Sequence, residues 1–99
     1  MSEFQVNTDL NSIPTVLLID DSEFVHRLLD ARLRSESIVL KSAENGKQGF
    51  RMATDELPAL ILLDLDMPVI DGFETLRMLK DEPRTRDIPV IVLLSLIHI

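Results

Sequence analysis

Three aspartates carry the chemistry this sequence could perform. Asp20 and Asp21 follow the apolar run Thr15-Val-Leu-Leu-Ile19, and Asp64 follows a second run, Ala59-Leu-Ile-Leu-Leu63, with Asp66 two residues on. If the two runs are neighbouring strands, Asp20, Asp21 and Asp64 converge at one end of a sheet. Two carboxylates about 5 Å apart repel by about 3 kcal/mol at an effective dielectric near 20. A hard divalent cation offsets that repulsion, and Mg2+ is suited to one or two carboxylates completed by water and phosphate oxygens. The alternative is three strand-end turn acids, each solvated separately. A doublet matched by a third acid at an equivalent strand end favours the shared cation.

The flanking pattern supplies the elements that must position these groups. The run Thr15 to Ile19 lacks alternation, as expected for a strand buried on both faces of a parallel sheet. Val25, Leu28, Leu29 and Leu33 mark one face of a helix behind the N-cap Ser22, with Arg32 and Arg34 near its negative end. Ile38 to Leu40 is a short second strand. Asn45 with Gln48 has the form of a capping box, and Phe50, Ala53 and Leu57 stripe a second helix that Pro58 stops. Ala59 to Leu63 is the third strand. Asp71 with Glu74 repeats the cap pattern, Phe73, Leu76 and Leu79 stripe a third helix ended by Pro83, and Ile88 to Leu93 is the fourth strand. Strands alternating with helices predict an α/β fold, a doubly wound parallel sheet with right-handed crossovers. Such sheets bind ligands outside the carboxyl ends of their strands, where the acids fall.

Composition narrows the function. The 99 residues carry 10 basic and 17 acidic side chains, a net charge of −7. That balance argues against direct nucleic-acid binding and against an anionic membrane surface. With 45% apolar and 27% charged residues the chain is globular in composition. The absence of cysteine excludes disulfides and thiolate metal sites and is compatible with a cytoplasmic protein. Residues 1–13 read as a flexible polar leader without signal-peptide character. The most apolar stretch, Val90 to Ile99, is about half the roughly 20 residues needed to span a bilayer. No P-loop, G-x-G-x-x-G or G-x-S-x-G pattern occurs, so Ser22 reads as a cap and not as a nucleophile. His26 falls off the apolar stripe and reads as solvated, as do Arg84 and Arg86. Phe24, Phe50 and Phe73 read as helix packing residues.

The segments Leu17-Leu-Ile-Asp-Asp-Ser22, Leu62-Leu-Asp-Leu-Asp-Met-Pro68 and Asp71-Gly72 together resemble the receiver domain of two-component response regulators, over about residues 14–93. The resemblance implies a flavodoxin-like fold with strand order 2-1-3-4. It implies that Asp64 is the phosphoacceptor, that Asp21 ligates Mg2+ directly, that Asp20 does so through water or helps place the ion, and that Asp66 offers its backbone carbonyl. Met67-Pro68 would shape the loop beside the acceptor. The implied partner is a sensor histidine kinase or a histidine phosphotransfer protein. Leu63-Asp-Leu-Asp-Met-Pro68 with Arg84-Thr-Arg-Asp-Ile-Pro89 is similar to receivers placed ahead of a diguanylate cyclase output domain. Two other readings stand beside this one. Asp64-Leu-Asp66 resembles the strand-end pair of haloacid-dehalogenase phosphohydrolases, but Pro68 stands where that family has Thr or Val, and Asp20-Asp21 would have no role. A docking module that never takes phosphate is the other, and Asp64→Asn would leave its partner binding unchanged.

The family pattern continues past the fourth strand with a helix, a fifth strand and a final helix, for which this sequence has no counterpart. The family's Thr or Ser at the fourth strand end falls on Leu94, with Ser95 next, and the Lys of the fifth strand has no equivalent. Leu94-Ser-Leu-Ile-His-Ile99 resembles a translated transposase sequencing adapter (CTG TCT CTT ATA CAC ATC). The expected organisation is therefore a leader (1–13), a partial receiver (14–93) and a non-native tail (94–99). Its expected consequence is an exposed apolar edge on the fourth strand and one thinly covered sheet face.

Overall fold

A computed structural model describes residues 13–67 and 70–93. Seven elements alternate along them: β1 (Thr15–Ile19), α1 (Glu23–Leu33), β2 (Val39–Ala43), α2 (Gly46–Glu56), β3 (Leu60–Asp64), α3 (Gly72–Asp81) and β4 (Val90–Leu93). The strands are all parallel in the order β2-β1-β3-β4, as the doubly wound reading requires. β1 is central, with Leu18 in register with Ser42 of β2 and Leu62 of β3. The chain crosses one way from β1 to β2 and the other way from β2 through β3 to β4. Right-handed crossovers then put α1 on one face and α2 with α3 on the opposite face.

The core lies on the α2 and α3 face. Leu17, Ile19, Ile61 and Leu63 from the strands meet Ala53 of α2 and Leu79 of α3, with Ala43 and Met67 at the strand tips. Phe50, Met52 and Leu76 extend this cluster. Gly49 lets α2 rest directly on β1, because a Cβ there would overlap the Ile19 side chain. The α1 face differs, since no residue of α1 is fully buried. Some expectations from the sequence fail here, among them Leu57, which lies past the end of α2 and is exposed. Phe24 is 63% exposed and Phe73 67%, so neither is a packing residue. Both stand in the first turn of their helices, at the end of the sheet where the strands stop.

Local hydrogen bonds explain the element boundaries. Ser22 Oγ accepts from the Val25 amide, Asn45 Oδ1 from Gln48 and Asp71 Oδ1 from Glu74, so all three N-caps form as expected. The reciprocal half of each capping box does not. The Gln48 side chain accepts from the Glu44 amide, one residue before the cap, and Glu74 turns to Arg77. β2 runs further than Ile38 to Leu40, because backbone pairing with β1 carries the exposed Lys41 and Ser42 into the edge strand. β3 includes Asp64 itself, and β4 starts only at Val90. The α3–β4 loop is tied closely: the buried Thr85 hydroxyl donates to Leu79 O at 2.6 Å, and Lys80 Nζ donates to Arg86 O and Ile88 O, both at 3.0 Å. Ile91 and Val92 of β4 are exposed. Pro68, almost all of the leader and the tail 94–99 lie outside the described residues. No helix among the described residues is long and apolar enough to cross a membrane.

Candidate metal and phosphoryl site

The pairing of β1 with β3 places Asp20, directly after β1, beside Asp64, the last residue of β3. The Asp20 amide extends the ladder by donating to Ala43 O at 3.1 Å. Its carboxylate accepts from the Ser22 amide at 2.8 Å, which turns the chain into α1. Asp64 Oδ1 accepts from the Asp66 amide at 3.2 Å, the equivalent turn after β3. Asp20 and Asp64 are each only 4% exposed, whereas Asp21 and Asp66 are exposed.

One carboxylate oxygen from each of Asp20, Asp21 and Asp64 lies within 4.8 Å of the others. The convergence expected from the strand ends is therefore present. The Asp66 side chain is not in this trio; the family resemblance gives a role only to its backbone carbonyl. Burial pushes the Asp20 carboxyl above the usual carboxylate range, the Ser22 amide pulls it down, the neighbouring charges of Asp64 and Asp21 push it up again, and His26 lowers it. A raised carboxyl among two further carboxylates marks a place where a cation is favourable. The donors are all hard oxygens, the set that Mg2+ takes.

Gly72 braces the end of β3. Its amide donates to Leu65 O at 3.1 Å, and a Cβ there would overlap the Leu65 Cα and the Asp64 carbonyl oxygen. The start of α3 thus abuts the turn that carries Asp64 and Asp66. The Asp71-Gly72 step was legible as a motif, but this close approach was not.

His26 departs from the solvated position expected of it. It is half-buried, and its Nε2 is bonded to Asp20 O at 2.6 Å, so it is not simply solvated. Lying off the apolar stripe of α1, it faces the strand tip instead of open water. The signal was its position one helical turn past Ser22, behind the Asp20-Asp21 doublet. Beside it, a cleft of about 450 Å³ is lined by Asp21, Glu23, His26, Ser42, Glu44 and Gln48. Arg84 and Arg86 are exposed, as expected.

The response regulator receiver domain model matches residues 16–96. The chain belongs to that family. As a receiver it is 44% identical over 81 residues to the response regulator PleD of Caulobacter vibrioides, a match that covers 82% of this chain and 18% of that protein. The chain thus spans about a fifth of the length of that curated relative. The N-terminal domain of a response regulator receiver protein from Methanoculleus marisnigri JR1 superposes with a TM-score of 0.77 at 34% identity, over 82% of this chain and 66% of that one. The receiver domain of the sensor histidine kinase PA1611 from Pseudomonas aeruginosa PAO1 has a TM-score of 0.76 at 28% identity, over 80% of this chain and 65% of that one. That structure holds a magnesium ion coordinated in its active-site cleft.

Proposed function

We propose that this receiver is the phosphoacceptor of a two-component phosphorelay, with Asp64 taking the phosphoryl group. The observation that carries the reading is the trio of carboxylate oxygens within 4.8 Å, two of its three residues almost wholly buried. Asp20, Asp21, Asp64 and the Asp66 carbonyl would hold Mg2+, which when bound neutralises the phosphoryl oxygens and the acids around them. Asp64 attacks phosphorus on a phosphohistidine of a sensor histidine kinase or histidine phosphotransfer protein. An O–P bond forms, the N–P bond breaks, and its electron pair returns to the imidazole. The Asp66 amide holds Asp64 Oδ1 and so fixes the plane of the attacking carboxylate. Phosphoryl transfer needs mainly alignment and charge neutralisation, and this geometry serves both.

The same reading makes the domain a signalling element without turnover chemistry, cytoplasmic, and bound neither to nucleic acid nor to membrane. It takes residues 14–93 as the receiver domain. In the whole protein it would precede an output domain, a diguanylate cyclase by the style of its motifs. The test is incubation with radiolabelled acetyl phosphate and Mg2+. We expect one acid-stable, hydroxylamine-labile phosphoryl group per chain, absent in Asp64→Asn and without Mg2+. Label retained in Asp64→Asn would overturn the assignment. Continuous phosphate release from a small phosphomonoester over many turnovers would select the phosphohydrolase instead, and no label with intact partner binding would select the docking module.

A further inference from the structure

Asp21 is the least restrained member of the acidic trio. It is exposed, whereas Asp20 and Asp64 are buried and hydrogen-bonded through their carboxylates. What orients Asp21 is therefore the peptide that precedes it, the one bearing the Asp20 carbonyl. That carbonyl meets His26 Nε2 at 2.6 Å. A carbonyl oxygen only accepts, so Nε2 carries the proton and donates. The other ring nitrogen, Nδ1, is buried and has no hydrogen-bond partner among the described residues. Leaving a polar atom so placed is costly. The ring gains nothing from Nδ1, and what it contributes comes through Nε2. The backbone that carries the ring is anchored in α1, since the His26 amide donates to Ser22 O at 3.2 Å. All three polar groups of Asp20 are then engaged: the amide by β2, the carboxylate by Ser22 and the carbonyl by His26.

We propose that His26 is a positioning residue for the cation site: its Nε2–H fixes the Asp20–Asp21 peptide plane, and so aims the Asp21 carboxylate at the ion. The inference rests on the Mg2+ reading above and adds a residue that touches neither ion nor substrate. Its logic is preorganisation, in which a donor outside the ligand set orients a ligand.

Two substitutions separate the ring nitrogens. Gln places its amide nitrogen near the position of Nε2, and Asn places it near Nδ1. We would measure Mg2+ affinity by titration calorimetry on the full chain for the wild type, His26→Gln, His26→Asn and His26→Leu, with metal-free melting curves. The expected result is near wild-type affinity for Gln and a loss of about tenfold for Asn and Leu, the value of one hydrogen bond of about 1.4 kcal/mol. Equal affinity in all four, or Gln as weak as Leu, overturns the proposal while leaving the Mg2+ reading intact. No Mg2+ binding by the wild type overturns both. Amide exchange in the metal-free proteins gives a second measure if Leu at this position unfolds the chain. The Ser22 amide, which donates to Asp20 Oδ1 in the turn that carries Asp21, should exchange faster in His26→Asn than in His26→Gln, and equal rates overturn the proposal.

Discussion

The two faces of the sheet are unequal. On one face α2 and α3 close over Leu17, Ile19, Ile61 and Leu63, and Ala53 and Leu79 are fully buried in return. On the other, α1 lies over the sheet without fully burying any of its own side chains. Yet the helix that contributes least to the core begins directly at Asp20 and Asp21. Its cap, Ser22, and its second turn, His26, both bond Asp20. One face therefore supplies most of the cohesion, and the other supplies much of the site's orientation.

The largest test of that difference is a pair of truncations. Leu79→Ala should cost about 2–5 kcal/mol in denaturant unfolding, because it empties a closed core position. Leu28→Ala on half-exposed α1 should cost well under half as much. Equal costs would break the comparison.

A middle-sized effect belongs to the acids themselves. Asp20 has its carboxyl raised on folding, chiefly by burial. For such an acid the folded state binds its proton more tightly than the unfolded state, so stability falls as pH rises from the unfolded value, near 3.8, through the raised folded value. Asp20→Asn keeps an oxygen for the Ser22 amide and removes the charge. It should stabilise the metal-free chain at neutral pH by about 1–3 kcal/mol, up to one full carboxylate repulsion at close range, and flatten that pH slope. It should also weaken Mg2+ binding. A fall in metal-free stability would show that the trio is not under electrostatic strain.

The smallest effect sharpens the packed face. Leu57 caps α2 in the left-handed region at φ 49° and is exposed. Leu57→Gly should raise stability by about 1 kcal/mol through relief of that backbone conformation. The expected readout is a higher denaturation midpoint with an unchanged slope.

Much of this was legible in the chain. Continuous apolar runs announced buried parallel strands, and Ser22, Asn45 and Asp71 announced helix starts, because both signals arise from short-range chemistry. The convergence of Asp20, Asp21 and Asp64 followed once strand order was assumed, and the β1–β3 pairing supports that step. What escaped reading depended on tertiary position. Phe24 and Phe73 carry core chemistry but occupy first turns at the open end of the sheet. Lys41 and Ser42 belong to β2 because an edge strand is held by its ladder as well as by apolar side chains. His26 looked solvated because helical periodicity reports what faces the core, not what reaches a neighbouring carbonyl.

The α3–β4 loop carries a further consequence. Arg84 and Arg86 stand at the surface and would be natural points of attack for trypsin. A protease must draw its target into an extended strand, however, and here Thr85, Arg86 and Ile88 donate their amides within the loop while Lys80 grips two of its carbonyls. Cutting there has to wait until the lysine lets go, so the rate of nicking at this basic bend would serve as a clock for the opening of the α3 end of the domain.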